Sequence, residues 1–259
     1  MQGIDLNCDM GESFGSFVMG MDSEVMPHIT SANIACGMHA GDPRGIVKTV
    51  LMAVEHGVGL GAHPGLPDLV GFGRRKMDVT AEEVYHDVLY QVAALKSIAE
   101  AHGAGLQHVK PHGALYHMVL EDESIARGVA QAVAKLDPGL ICVTLAGPKG
   151  DLMAEACRQS GLRVAREGFP DRAYNADGTL VSRKLSGAVV EDPREVAQRA
   201  LLMAKKNETL TADGARVDLE AQTLCVHGDT PSAVELVKSI RASLEEEGLR
   251  LQGMRTLLA

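Results

Sequence analysis

The sequence predicts an α/β domain built as a parallel (β/α) barrel, not the full eight-stranded TIM form but a distorted, seven-stranded one. Three observations predict it. Short apolar runs alternate with amphipathic helical patterns along the whole chain, the signature of βα units and a parallel sheet. Seven such repeats of uneven length can be counted, which favours a closed or nearly closed barrel over an open doubly wound sheet. The 259 residues suit one barrel, and no Pro/Ser-rich or low-complexity stretch divides them, so 1–259 reads as a single domain.

The strands are expected near 4–8, 31–36, 58–62, 106–110, 140–146, 162–167 and 222–227. The helices between them carry clear start and stop signals. Asp42-Pro43 supplies an N-cap and a proline at the first helical position, Val47, Val50, Leu51 and Val54 form an apolar stripe, and Gly57 ends it. Thr80 with Glu83 reads as a capping box before Val84, Val88, Val92 and Leu95. Asp192-Pro193 and Thr230-Pro231 open two more helices, the last bearing Val234, Val237, Ile240 and Leu244 before Gly248. Two insertions follow strands, at 64–79 and 168–190, and a barrel would place both on its catalytic face. Asp213-Gly214 marks a hairpin within 208–221.

Composition excludes several function classes. A formal charge of −9 argues against nucleic acid, since phosphate binding needs an excess of Lys and Arg. No run approaches the ~18 apolar residues of a membrane span, and the start of the chain does not resemble a signal peptide. The five cysteines, Cys8, Cys36, Cys142, Cys157 and Cys225, form no CxxC pair, and four lie in apolar strand-like runs. Free thiols in a reducing cytoplasm are therefore expected.

Polar residues collect at the carboxyl ends of the strands. Asp5, Asn7 and Asp9 share one face of the first strand, and Glu12 follows in the loop. Parallel strands are normally apolar on both faces, so these groups should line a site or pair with cations; the plainer reading is that Asp9 and Glu12 cap the next loop. His39 lies in a glycine-flanked turn before a helix, and His39-Ala40-Gly41-Asp42-Pro43 is echoed by His227-Gly228-Asp229-Thr230-Pro231 after the last strand. Shared turn chemistry could explain the echo, but so could a shared function. His63 ends the third strand; Lys110 ends the fourth, with His112 at the same parity. A lysine there is a fixed charge for a carboxylate or phosphate, or a structural partner for Asp9. His117 reads as a solvent-facing residue. Arg166, Glu167, Asp171, Arg172 and Tyr174 are weaker candidates. Asp9, His39 and His63 come from three successive strand ends and could hold a metal, although no pair has short zinc-type spacing. GxGxxG, GxSxG and HExxH are absent, and GDPRGIVKT (41–49) lacks the spacing of a phosphate loop.

The ordered motifs DLNCDMGESFG, ANIACGMHAGDP, GAHPGLPDLVGFGRR, VKPHGALY and TLCVHGDTP resemble the LamB/YcsF family over nearly the whole chain. That resemblance implies a barrel similar to those of glycoside hydrolases and sugar deacetylases. It implies a hydrolase acting on a cyclic amide, the A subunit of a bacterial ATP-dependent 5-oxoprolinase, opening 5-oxoproline to L-glutamate with partner subunits B and C. ATP, with Mg²⁺, is then the co-substrate, and a homo-oligomer is left open. Under this reading Asp9 or Glu12 is the general base, and His39, His63 or His112 polarises the carbonyl or donates a proton. Lys110 or Arg172 holds the substrate carboxylate, and Asn7, His227 and Asp229 help to bind substrate. Two other readings stand beside it: a metal-dependent amide or acetyl hydrolase acting without ATP, and a metabolite-binding barrel that regulates a partner.

Overall fold

A computed structural model describes residues 3–226 and 232–259. Its strands are β1 (Gly3–Met10), β2 (Ser31–Ala35), β3 (Gly59–His63), β4 (Leu106–Val109), β5 (Ile141–Leu145), β6 (Arg163–Gly168), β7 (Glu208–Leu210), β8 (Arg216–Asp218), β9 (Thr223–Val226) and β10 (Arg250–Leu251). Strands β1 to β6 and β9 pair in parallel in that order, and β9 pairs again with β1, which closes a seven-stranded barrel. Every strand expected in the barrel is present. The 208–221 segment forms the predicted hairpin, β7 antiparallel to β8, with Gly214 at φ +83 in its turn.

The α-helices are α1 (Asp22–Val25), α2 (Pro43–Glu55), α3 (Ala81–Ala101), α4 (Gly113–Glu121), α5 (Glu123–Leu136), α6 (Asp151–Gln159), α7 (Pro193–Lys206), α8 (Ala233–Glu246) and α9 (Met254–Leu257). The expected caps form. The Asp42 side chain accepts from the Arg44 and Gly45 amides, Asp192 accepts from the Arg194 amide, and Thr80 and Glu83 complete their reciprocal box. Thr230 and Pro231 lie outside the described residues.

One helix face departs from expectation. Helix α2 buries Ile46, Thr49, Val50 and Ala53, whereas Leu51 and Val54 are exposed. Its apolar residues run almost continuously from Val50 to Val54, so two stripes about one residue apart were open to it. Packing on the strands selects the slimmer one, with Ala53 in place of Val54.

Strand β1 alternates as its period demands. Ile4, Leu6, Cys8 and Met10 join the main hydrophobic core, while Asp5, Asn7 and Asp9 carry the opposite face. That opposite face points into the barrel lumen, which is polar for much of its depth. Thr30, Ser31 and Thr223 hydroxyls all donate to Asp5, and Gln107 donates to Ser31 Oγ at 2.7 Å. One layer up, Asn7 Nδ2 donates to Thr223 Oγ1 at 2.6 Å and to Glu167 Oε1 at 3.1 Å. Asn33 Nδ2 donates to Asn7 Oδ1 at 2.7 Å, and His108 Nε2 donates to Asn33 Oδ1 at 2.7 Å.

Glycines make room for this column. A Cβ on Gly59 would lie 2.0 Å from Gln107 Nε2, and one on Gly61 would lie 1.9 Å from His108 Nε2. At the amino-terminal end, Met254 packs on Ile141, Val143 and Ala165, and Gln107 accepts from the Arg255 amide. The chain's last helix thus closes that end, leaving the column to open at the carboxyl ends. Among the described residues no helix is long and apolar enough to cross a membrane.

Burial pushes the Asp5 carboxyl up to about 6 against its three hydroxyl donors. A raised carboxyl pKa favours the folded state most below pH 3.8, and that contribution is lost as pH rises through 6. Replacing Asp5 with Asn should therefore flatten the decline in unfolding free energy between about pH 4 and pH 7, by ~1–3 kcal/mol. Urea titrations across that range measure it; identical pH profiles for the two proteins would refute the assignment.

Candidate functional site

At the open end of the column stands Lys110, directly after β4 and 3% exposed. Its Nζ lies 2.9 Å from Asp9 Oδ1 and 2.9 Å from Glu167 Oε1, and it reaches Cys225 Sγ at 3.1 Å and Asn7 Oδ1 at 3.4 Å. Strand β4 adjoins only β3 and β5, so these contacts cross the lumen to β1, β6 and β9. Burial alone would lower the lysine pKa, but Asp9, Cys225 and Glu167 hold it well above its ordinary value. The ammonium is therefore a permanent charge. Asn33 Nδ2 also donates to Asp9 Oδ1, at 2.8 Å.

Beside Asp9 lies a cluster of imidazoles. His63 Nδ1 donates to the Lys110 carbonyl at 2.7 Å, and its Nε2 lies 3.4 Å from Asp9 Oδ2. His112 Nε2 donates to the Phe72 carbonyl at 2.8 Å. His112 Nδ1 lies 3.0 Å from His63 Nε2 and 3.6 Å from Glu12 Oε1. His39 stacks on His112 with ring centroids 3.7 Å apart, and its Nε2 lies 3.5 Å from Glu12 Oε1. Burial and the neighbouring His63 push His112 down to about 3, and burial with His112 and His63 holds His39 well below its ordinary value. Both rings are neutral at physiological pH.

The 64–79 insertion shapes this cluster. Phe72 takes φ +55, a left-handed conformation that costs a non-glycine residue about 1–2 kcal/mol, and its carbonyl meets His112. Next to it Gly73 sits at φ +61, where a Cβ would lie 2.7 Å from the His39 Cβ and 2.9 Å from His112 Cδ2. A side chain at Gly73 would therefore force the imidazoles apart.

A cavity of about 650 Å³ opens onto Asp9, His63, Lys110 and His112. Tyr116, His117 and Phe169 line it, and Arg74, Arg172, Arg183 and Lys184 give it a cationic wall. The 168–190 insertion builds much of that wall. Arg172 is anchored there, donating from Nε to the Ala188 carbonyl at 3.1 Å and from Nη2 to the Val181 carbonyl at 2.6 Å.

Six of the expected site residues, Asp9, Glu12, His39, His63, Lys110 and His112, thus come together, with Asn7 beneath them and Arg172 in the wall. His227 and Asp229 lie outside the described residues. Of the metal ligands expected, His39 and His63 fall in a compact donor set, but its other members are Glu12 and His112 rather than Asp9. Capping of the loop after β1 falls to Asp22 and Asp42, which accept from the Gly11 and Gly15 amides, while Asp9 and Glu12 face the site. His117, although exposed, borders the cavity. Glu167, a weak candidate from sequence, is central, whereas Tyr174 is structural, its hydroxyl accepting from the Phe169 amide. Sequence reasoning misses Asn33, His108 and Tyr116. The parity of Asn33 and His108 in their strands was the available signal; Tyr116, on α4, offered none.

A family model described as LamB/YcsF family matches residues 4–259. The chain belongs to the LamB/YcsF family. It is 51% identical over 256 residues to a relative from Natranaerobius thermophilus named as the A subunit of 5-oxoprolinase, covering 99% of this chain and 98% of the relative. A solved structure described as a lactam utilization protein from Thermus thermophilus superposes with a TM-score of 0.91 at 47% identity, covering 97% of this chain and all of that one. The barrel also resembles that of T48 deacetylase, with a TM-score of 0.51 at 15% identity over 99% of this chain and 90% of the other, a likeness of fold alone.

Removing the ammonium should expose how much the site depends on it. Lys110→Met leaves Asp9 and Glu167 buried without their shared cation and should cost ~3–5 kcal/mol of unfolding free energy. Adding Glu167→Gln to that variant should recover part of the loss, measured as a coupling of ~1–3 kcal/mol in denaturant titrations. Simple additivity of the two changes would show that the pair is not coupled.

Proposed function

We propose that this chain is the A subunit of an ATP-dependent 5-oxoprolinase and opens 5-oxo-L-proline to L-glutamate together with two partner subunits, B and C. The observation that carries the reading is the cavity: a space of about 650 Å³ with an acid–base floor and a cationic wall. It occurs in a chain half identical, along its length, to a relative of that name. Such a volume suits a five-membered lactam with room for a phosphoryl group.

Lys110 is already held by Asp9 and Glu167, so the substrate carboxylate falls to the wall, with Arg172 as its anchor. The lactam ring then lies between that wall and the His63–His112 edge. A lactam carbon is a poor electrophile, and transfer of the γ-phosphoryl group of ATP to its oxygen makes it a good one. Water adds to that carbon while Asp9 takes its proton. The ring C–N bond breaks as the nitrogen is protonated, leaving an acyl phosphate that a second water hydrolyses to glutamate and phosphate.

The sequence carries no phosphate loop, so the partner subunits bring Mg²⁺-ATP, and Arg74, Arg183 and Lys184 meet the transferred phosphoryl group. All five cysteines are free and buried, which suits a reducing cytoplasm.

The assay is glutamate release from 5-oxoproline with partner subunits present. Release should require both this chain and ATP, and Asp9→Asn should lower the rate by ~10²-fold or more. Undiminished release by the variant would remove Asp9 from the chemistry. Amide hydrolysis by the chain without ATP would favour the metal-dependent hydrolase instead.

A further inference from the structure

The hydrogen bonds of His63 and His112 leave a conflict between them. A carbonyl oxygen can only accept, so His63 carries its proton on Nδ1 toward Lys110 O, and His112 carries its proton on Nε2 toward Phe72 O. When both rings are neutral, the other nitrogens, His63 Nε2 and His112 Nδ1, present lone pairs to each other across 3.0 Å. Asp9 Oδ2 stands 3.4 Å from the first and Glu12 Oε1 stands 3.6 Å from the second, both acceptors. Lone pairs converge where a positively charged acceptor of electrons belongs.

A second observation points the same way. His39 is fully buried, and neither of its ring nitrogens has a hydrogen-bond partner among the described residues. Its Nε2 lies 3.5 Å from Glu12 Oε1, on the side of the same cluster.

We propose that Glu12, His39, His63 and His112 form a binding site for one divalent transition-metal ion, of the zinc class. Their four donor atoms all lie within 4.8 Å of one another. Around a tetrahedral ion with ligands at ~2.0–2.1 Å, donor atoms stand about 3.3–3.4 Å apart. The distances of 3.0, 3.5 and 3.6 Å bracket that value. Three imidazoles and one carboxylate select a borderline ion over Mg²⁺ or Ca²⁺, which prefer oxygen. The carbonyls of Lys110 and Phe72 pin two of the rings through their far nitrogens, as outer partners of metal-bound histidines do. His39 lies parallel to His112 and must tilt out of that stack to aim its lone pair, which its lack of hydrogen bonds allows. A bound ion would act as a Lewis acid on an oxygen in the adjoining cavity, a role that rests on the lactam reading, whereas binding does not.

The test uses the full chain after treatment with a chelator, titrated with Co²⁺ and followed by visible absorption. One equivalent should bind with the intense bands of a four-coordinate ion, Zn²⁺ should displace it, and Mg²⁺ should not. His39→Gln and Glu12→Gln should each weaken binding more than about tenfold, and His86→Gln, on the exposed face of α3, should bind as the parent does. If His39→Gln fails to fold, Glu12→Gln carries the comparison. Absence of saturable binding, or equal affinity in the Glu12 and His39 variants, would overturn the site. Glutamate release by a chain that binds no ion overturns the metal and spares the function; an ion-binding chain without glutamate release does the reverse.

Discussion

Everything at the open end of this barrel depends on keeping one buried ammonium group ionised. A lysine alone there would lose its proton, since burial disfavours charge. Asp9 and Glu167 prevent that, and they are held in turn by Asn33 and Asn7. The two amides hang from a column that continues through Thr223 to Asp5 and its hydroxyl donors. The polar lumen is thus one connected network. Each layer supplies hydrogen-bond partners to the one above it, so the depth of the network follows from the charge at its top.

Space for the network comes from backbone rather than from side chains. Gly59 and Gly61 leave the volume that Gln107 and His108 occupy, and Gly73 does the same for the imidazole cluster. Phe72 accepts a left-handed conformation and in doing so delivers its carbonyl to His112. Strain stored in the insertion is offset by a hydrogen bond that fixes which nitrogen of His112 carries the proton. The proton positions of His63 Nδ1 and His112 Nε2 are therefore set by main-chain oxygens before any ligand arrives.

The resulting site has two electrostatic halves. Its floor is rich in carboxylates and neutral imidazoles, whereas its outer wall carries Arg74, Arg172, Arg183 and Lys184. Under the proposed function, an anionic lactam drawn to the wall would meet a proton acceptor at the floor.

Much of this was legible in the chain itself. Strand periodicity located all seven barrel strands, and the parity of Asp5, Asn7 and Asp9 predicted one polar face, because a strand's side chains alternate whatever surrounds it. Caps at Asp42, Thr80 and Asp192 were equally local and equally readable. What sequence could not supply was which strand ends meet. Lys110 and Glu167 are 57 positions apart, and only barrel closure brings them to 2.9 Å. The buried face of α2, the inclusion of Glu12 and His112 in the donor cluster, and the place of Tyr116 in the cavity wall were likewise settled by packing. Local chemistry determined the parts and their facing; the curvature of a closed sheet decided their company.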